Sequence, residues 1–200
     1  MRYFLQIIVW FPLLAGLLSA CSSELPRQEY IQWVESYENG LHIKKEAGTY
    51  TVDLQYKPAP YVLLQEETPS PGDTAGFGTK LAEYEAIQYY TLTVGLQDSK
   101  EDFLRYGIST VVQQQQKLYY YSYLFQNDLY VEENGQKLPC VLFHFERSYD
   151  LKPSRTFVLG FEQAASGQSE TAELVINSRW LQSEPIRVRI EKRNIPSIKL

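Results

Sequence analysis

The stretch LPCVLFHFERSY, residues 138–149, decides how this chain is read. It brings a thiol, an imidazole, a carboxylate and a guanidinium into one run: Cys140, His144, Glu146 and Arg147. Those are the parts of a cysteine-dependent active site. The residues between them are apolar and β-forming, and successive residues of a strand point to opposite faces. Val141, Phe143 and Phe145 then share one face, while Cys140, Leu142, His144 and Glu146 share the other. Cys140 and His144 would stand about 13 Å apart on one extended strand. A thiolate–imidazole pair needs contact at about 3 Å, and two ligands of one metal ion must each lie within about 2.3 Å of it. The run is therefore expected to be a core strand, with Cys140 a small apolar residue and His144 buried and hydrogen-bonded. A site here would need partners from other strands, and the only other histidine is His42.

The same alternation recurs on both sides of this run. Tyr50, Val52, Leu54 and Tyr56 point one way and Thr51, Asp53 and Gln55 the other, until Pro58 and Pro60 end the ladder. Tyr90, Leu92, Val94 and Leu96 mark a second strand. Asn39-Gly40 and Asn134-Gly135 are tight-turn signals. Further strands are expected at Leu129–Glu133, Thr156–Glu162, Thr171–Asn177 and Ile186–Lys192, the last with Val188 and Ile190 inward. Between the β-rich parts, Leu104, Ile108, Val111 and Leu118 fall at helical spacing after candidate caps Asp98 and Ser99. One principal helix is expected over about residues 100–125, bent near Gly107. The segment TPSPGDTAGFG, residues 68–78, reads as a loop. Residues 29–36 read as the end of a tether or a first strand, and 61–67 and 80–86 as short helix or strand. The fold class is α+β, mainly antiparallel β, with a β-sandwich-like core.

The N-terminus carries a different message. Arg2 precedes an apolar stretch from Tyr3 to Leu18, followed by Leu18-Ser19-Ala20-Cys21. The stretch has signal-peptide length and is too short for a good membrane span. Leu-Ser-Ala-Cys resembles the lipobox of bacterial lipoproteins. That resemblance implies lipid attachment at the Cys21 sulfur, cleavage before Cys21 and acylation of the new amino end. Several acyl chains anchor far better than one. The expected organisation is a signal peptide over 1–20, a lipidated tether over 21–28 and a single mostly-β domain over 29–200. No Asp follows Cys21, so by analogy with enteric lipoproteins the outer membrane is favoured, facing either the periplasm or the surface. If Cys21 is lipidated, Cys140, the second of two cysteines, has no disulfide partner.

The chain contains no Gly-x-Ser-x-Gly elbow, no Walker A motif and no Gly-x-Gly-x-x-Gly run. No catalytic residue, metal ligand set or cofactor is nominated. A net charge of −5 gives no basic footprint for nucleic acid. The late basic residues Arg179, Arg187, Arg189, Lys192, Arg193 and Lys199 interleave with Glu184 and Glu191 and read as a solvated face. Sixteen tyrosines mostly fit inward strand faces. Tyr120 and Tyr121 do not, and with Trp180 they are the candidate ligand-binding residues, able to stack on a sugar ring or line a groove.

Asn39-Gly40-Leu41, Tyr50, Gln55-Tyr56-x-Pro58-x-x-Tyr61 and Leu138-Pro139-Cys140-x-x-x-His144-Phe145-Glu146-Arg147-Ser148-Tyr149 together resemble small uncharacterised outer-membrane lipoproteins of Bacteroidetes-type bacteria. The resemblance runs from about residue 37 to the end. It implies a lipidated single domain in the envelope and brings no catalytic residues. The expected function is a lipid-anchored envelope protein, a structural or interaction module whose partners are the membrane, through its anchor, and envelope proteins. The alternative is an extracytoplasmic binding module for a small molecule or glycan, and a third is an enzyme with a site assembled from several strands.

Overall fold

The computed structural model describes residues 24–67, 74–97, 99–146, 153–167 and 169–199. Cys21, the signal segment, Asp98, Arg147–Tyr149 and residues 68–73 of the expected loop lie outside the described residues. Eight strands form one antiparallel sheet in the order β2-β3-β4-β7-β6-β5-β8-β9. They are β2 (His42–Ala47), β3 (Tyr50–Lys57), β4 (Ile87–Leu96), β5 (Leu129–Glu133), β6 (Gln136–Glu146), β7 (Arg155–Glu162), β8 (Thr171–Ile176) and β9 (Ile186–Glu191). The two outer strands curl towards each other. Glu191 N–H donates to Gly40 O at 3.0 Å, and Lys45 Nζ bridges to Arg187 O at 2.6 Å. The sheet is thus nearly closed, a barrel-like form of the sandwich-like α+β core. Gly40 makes the approach feasible. Its φ is +78°, and a Cβ there would fall 2.7 Å from Glu191 Cβ.

Inward residues follow the alternation. Val52, Leu54, Tyr90, Leu92, Phe157, Leu159, Leu174, Val188 and Ile190 are buried, with Arg187 and Arg189 pointing outward on either side of Val188. In β6 the alternation breaks. Cys140 pairs with Phe161 and Leu142 with Gly160, leaving Val141 as an extra residue. This bulge flips the phase of the strand. Before it Leu138 and Cys140 face the core; after it Phe143 and Phe145 do. Val141 stays 51% exposed, and His144 lies exposed on the outer face rather than buried. Leu142 lies over Gly160, where a Cβ would come within 2.8 Å of Leu142 Cβ and of Ile87 Cδ1.

Four α-helices occur among the described residues: α1 (Arg27–Glu35), α2 (Ala59–Glu66), α3 (Thr74–Tyr84) and α4 (Val111–Tyr119). The principal helical excursion starts later than the periodicity suggests. Thr110, not Asp98 or Ser99, caps α4 by accepting from Gln113 N–H at 3.2 Å. A π-helical turn (Tyr120–Leu124) and a 3₁₀ turn (Phe125–Asp128) carry the chain on to β5. Residues 99–108 form turns, pinned by Lys117, which donates to Phe103 O (2.8 Å) and Tyr106 O (3.0 Å). Residues 24–28, expected to be tether, are ordered. Strand β1 (Glu24–Pro26) pairs in parallel with β10 (Ser197–Lys199), and α1 begins at Arg27. Helix α1 buries Tyr30 and Val34, one turn apart, against the core. The end of the expected loop, residues 74–78, belongs to α3.

The antiparallel registers define two ends of the barrel. The first holds the start of β4, the ends of β5 and β9, and, by continuation, β10, β1 and α1. The second holds the starts of β3, β5 and β9, where the 99–128 excursion closes the core with Phe103, Tyr121 and Phe125. With strands of about eight residues the two ends stand roughly 20 Å apart.

Candidate functional site: an aromatic cleft at the second end

The connection from β8 to β9 is folded tightly. Leu181 N–H and Gln182 N–H both donate to Ser178 O, at 3.0 and 3.2 Å. Tyr50 OH donates to Trp180 O at 3.2 Å, and Asn177 N–H donates to Asp128 O at 2.8 Å. These bonds fix Trp180 beside the π-helical turn. Lys117, Tyr121 and Phe125, at spacings of four, are all buried and face the core. Tyr120, next in rotation, leans out of that stripe. Its hydroxyl donates to Asp128 Oδ2 and lies 2.7 Å from Ser178 Oγ. Burial, and then the hydrogen bond to Asp128, push the Tyr120 hydroxyl pKa well above the ordinary value, so it stays a donor. The Tyr120 and Trp180 rings lie 6.1 Å apart at 37°.

Tyr120, Asp128, Asn177, Arg179, Trp180 and Ser183 line an open cleft of about 520 Å³. That volume lies within the range of small-molecule sites, about 300–1,000 Å³. Two of the three expected ligand-binding aromatics therefore meet in one concavity. Tyr121 does not join them. It is fully buried, with its ring 4.8 Å from Phe103 and 5.1 Å from Phe125. Its place in the periodic stripe makes it core. The polar members of the cleft carry no sequence motif. They gather only because the 3₁₀ turn and the β8–β9 connection meet.

The other reactive letters do not assemble. Cys140 faces inward, donates from Sγ to Leu142 O at 3.2 Å, and burial pushes its thiol pKa up to about 11. His144 is on the other face of the same sheet. His42 has both ring nitrogens occupied, Nδ1 2.9 Å from Glu35 O and Nε2 2.7 Å from Asp53 Oδ1, with Tyr37 stacked on it at 3.8 Å. Neither nitrogen is open to a substrate. Lys192, expected on a solvated face, is buried at the first end. It donates to Gln88 Oε1 (2.6 Å) and Glu133 Oε1 (3.0 Å), and Glu133 also accepts from Gln88 Nε2 (2.6 Å) and Ser169 N–H (2.8 Å). Every partner in that cluster is satisfied, which marks it as structural. Among the described residues no three His, Cys, Asp or Glu side chains gather as metal ligands, and no helix is long and apolar enough to cross a membrane.

No protein-family model and no curated protein matches the chain. Two solved structures are similar to it. One is a DUF4426 family protein from Pseudomonas aeruginosa PAO1, with a TM-score of 0.36 and 7% identity, covering 78% of this chain and 96% of that one. The other is a protein of unknown function from Burkholderia pseudomallei K96243, with a TM-score of 0.36 and 11% identity, covering 84% of this chain and 87% of that one. At this level neither likeness carries an argument about what this chain does.

Proposed function

We propose that this protein is a lipid-anchored envelope protein, held at the outer membrane through Cys21, whose far end binds a carbohydrate or similar ring-shaped ligand. One observation carries the reading. The cleft between Tyr120 and Trp180 opens at the barrel end opposite β1. Two aromatic faces beside Asp128, Asn177 and Ser183 supply a stacking surface and hydrogen-bonding groups, the combination a sugar ring requires. Cys21 precedes β1 by three residues, a reach of about 10 Å at most. An anchor there would hold the first end against the bilayer and present the cleft away from it. The lipobox-like Leu18-Ser19-Ala20-Cys21 supports the anchor.

Binding is tested by titrating envelope glycan fragments into the Cys21→Ser chain and its Trp180→Ala variant. The reading expects Trp180→Ala to weaken binding by about tenfold or more with little change in melting temperature. Equal binding by both chains, or none by either, would overturn it. The anchor is tested separately. Cys21→Ser should release the protein from membranes and abolish incorporation of labelled fatty acid.

A second reading, contact with an envelope protein, has its own observation. Val111, Val112, Leu118, Tyr119, Tyr123 and Leu124 are exposed on the outer side of α4 and the π turn. Lys117, the one charged residue between Arg105 and Asp128, points inward. That leaves an uncharged face of the kind found at interfaces.

A further inference from the structure

We infer that the ligand of the Tyr120–Trp180 cleft is an acidic sugar, and that Arg179 is the residue that selects its anionic group. This rests on the carbohydrate reading of the cleft and deepens it.

The other described arginines are engaged, Arg105 among them. Arg187 bridges Glu132 and Glu173, at 2.7 and 2.6 Å. Arg189 and Arg193 share Glu191, at 2.8 and 2.9 Å. Arg155 is paired with Asp102, and Arg27 donates to Leu64 O at 2.9 Å. Arg179 has no such partner among the described residues, although it lines the cleft one residue before Trp180. Asp128, the carboxylate in the same cleft, is already engaged by the Tyr120 hydroxyl. The guanidinium is the cation that lines the cleft. It is a planar fork suited to two parallel hydrogen bonds with a carboxylate or phosphate, beside an aromatic wall suited to the ring that bears it.

The chain is acidic overall, at −5, and carboxylates are plentiful enough to pair the neighbouring arginines. The backbone around Arg179 is held by the Ser178 turn and by Tyr50, so its origin does not wander. A neutral sugar would use the rings, Asn177 and Ser183 and leave the guanidinium idle. A carboxylated sugar would use all of them, and a sugar phosphate would offer the same anionic chemistry from a different source.

The test is a titration of the Cys21→Ser chain, followed by NMR, with pairs matched in the sugar ring and differing in the group that bears the acid. The pairs are glucuronate with glucose, galacturonate with galactose, and N-acetylmuramic acid with N-acetylglucosamine. Glucose 6-phosphate forms a fourth arm that separates phosphate from carboxylate. The expected result is about tenfold tighter binding of the acid in at least one pair, or of the phosphate over glucose, with the preference shrinking as salt is raised. Arg179→Gln should abolish that preference while leaving neutral-sugar binding in place. Arg179→Lys should restore part of it, because the charge returns without the fork. Equal binding of acid and neutral members, with all of it lost in Trp180→Ala, would overturn the acidic-sugar inference and leave the carbohydrate reading standing. No binding of any probe would overturn both. A preference for acid that survives Arg179→Gln would overturn the role given to Arg179.

Discussion

At the scale of single residues, Cys140 is the sharpest case. Its thiol faces the core of β6, and burial raises its pKa to about 11 from an ordinary 9. At pH 8 the thiolate is then about a hundredfold scarcer than in an open cysteine, and the thiolate is the reactive species. In the Cys21→Ser chain, where Cys140 is the one remaining thiol, labelling by an aromatic disulfide should be at least a hundredfold slower than in urea. Labelling at the unfolded rate would show that Cys140 is open. Cys140 and His144 were both legible as residues of a strand. Their sidedness was not. On either phase of the strand the core face reads apolar, as Leu138 with Cys140 or as Val141 with Phe143. Pairing with Gly160, the residue that leaves room for Leu142, accompanies the bulge that decides between them.

At the scale of elements, strands β4 and β5 and the end of β9 are tied inside the barrel by Gln88, Glu133 and Lys192. Glu133 and Lys192 have side chains 0% and 2% exposed, so solvent cannot replace a lost partner. Glu133→Ala would strand the Lys192 ammonium and leave Ser169 N–H without its acceptor. A cost of about 3–5 kcal/mol is expected in urea denaturation. Pairing the change with Lys192→Met should recover part of it, because the stranded charge is gone. A loss below about 1 kcal/mol for Glu133→Ala would show that the cluster does not hold these strands. From sequence Lys192 read as one of several surface cations, since burial of its side chain depends on where β4 and β5 cross the barrel. Helix α1 was likewise missed. It starts after Pro26 with no side-chain cap, and its inward pair, Tyr30 and Val34, is too sparse a pattern to separate helix from strand.

At the scale of the whole molecule, buried tyrosines and lysines shape the dependence of stability on pH. Burial lowers the pKa of Lys57, Lys117 and Lys192, that of Lys117 to about 8 from 10.5. Between about pH 8 and 10.5 the unfolded chain holds more lysine protons than the folded one, so this contribution makes stability rise with pH. The tyrosines act the other way. Tyr61 is raised to about 12, chiefly by burial, and Tyr30, Tyr56, Tyr90 and Tyr121 are raised further, again chiefly by burial. Above pH 10 the unfolded chain releases tyrosine protons that the folded chain keeps, and stability falls. Urea midpoints should therefore rise above pH 8, pass through a maximum near pH 9–10 and drop steeply beyond it. Lys117→Met should flatten the rising limb. Ionisation of the buried tyrosines Tyr30, Tyr56, Tyr90 and Tyr121, followed at 295 nm, should be delayed until unfolding. Early ionisation of these buried tyrosines in a folded protein would contradict the burial described above.

The sequence by itself determined most of the barrel strands, the inward faces of β3, β4 and β9, the Asn-Gly turns and the mainly antiparallel class, because alternation and turn chemistry are local. It also singled out Cys21, Tyr120, Tyr121 and Trp180. Only the tertiary structure decided what those strands enclose. Sheet curvature brings β9 to Gly40, a bulge turns Cys140 inward, and one residue's rotation sends Tyr121 to the core and leaves Tyr120 half-buried at the cleft. Asp128, Asn177, Arg179 and Trp180 become one cleft only when a 3₁₀ turn and a β8–β9 connection meet at the end of a nearly closed sheet. Residues some 50 positions apart share no local pattern, so their meeting is a property of closure.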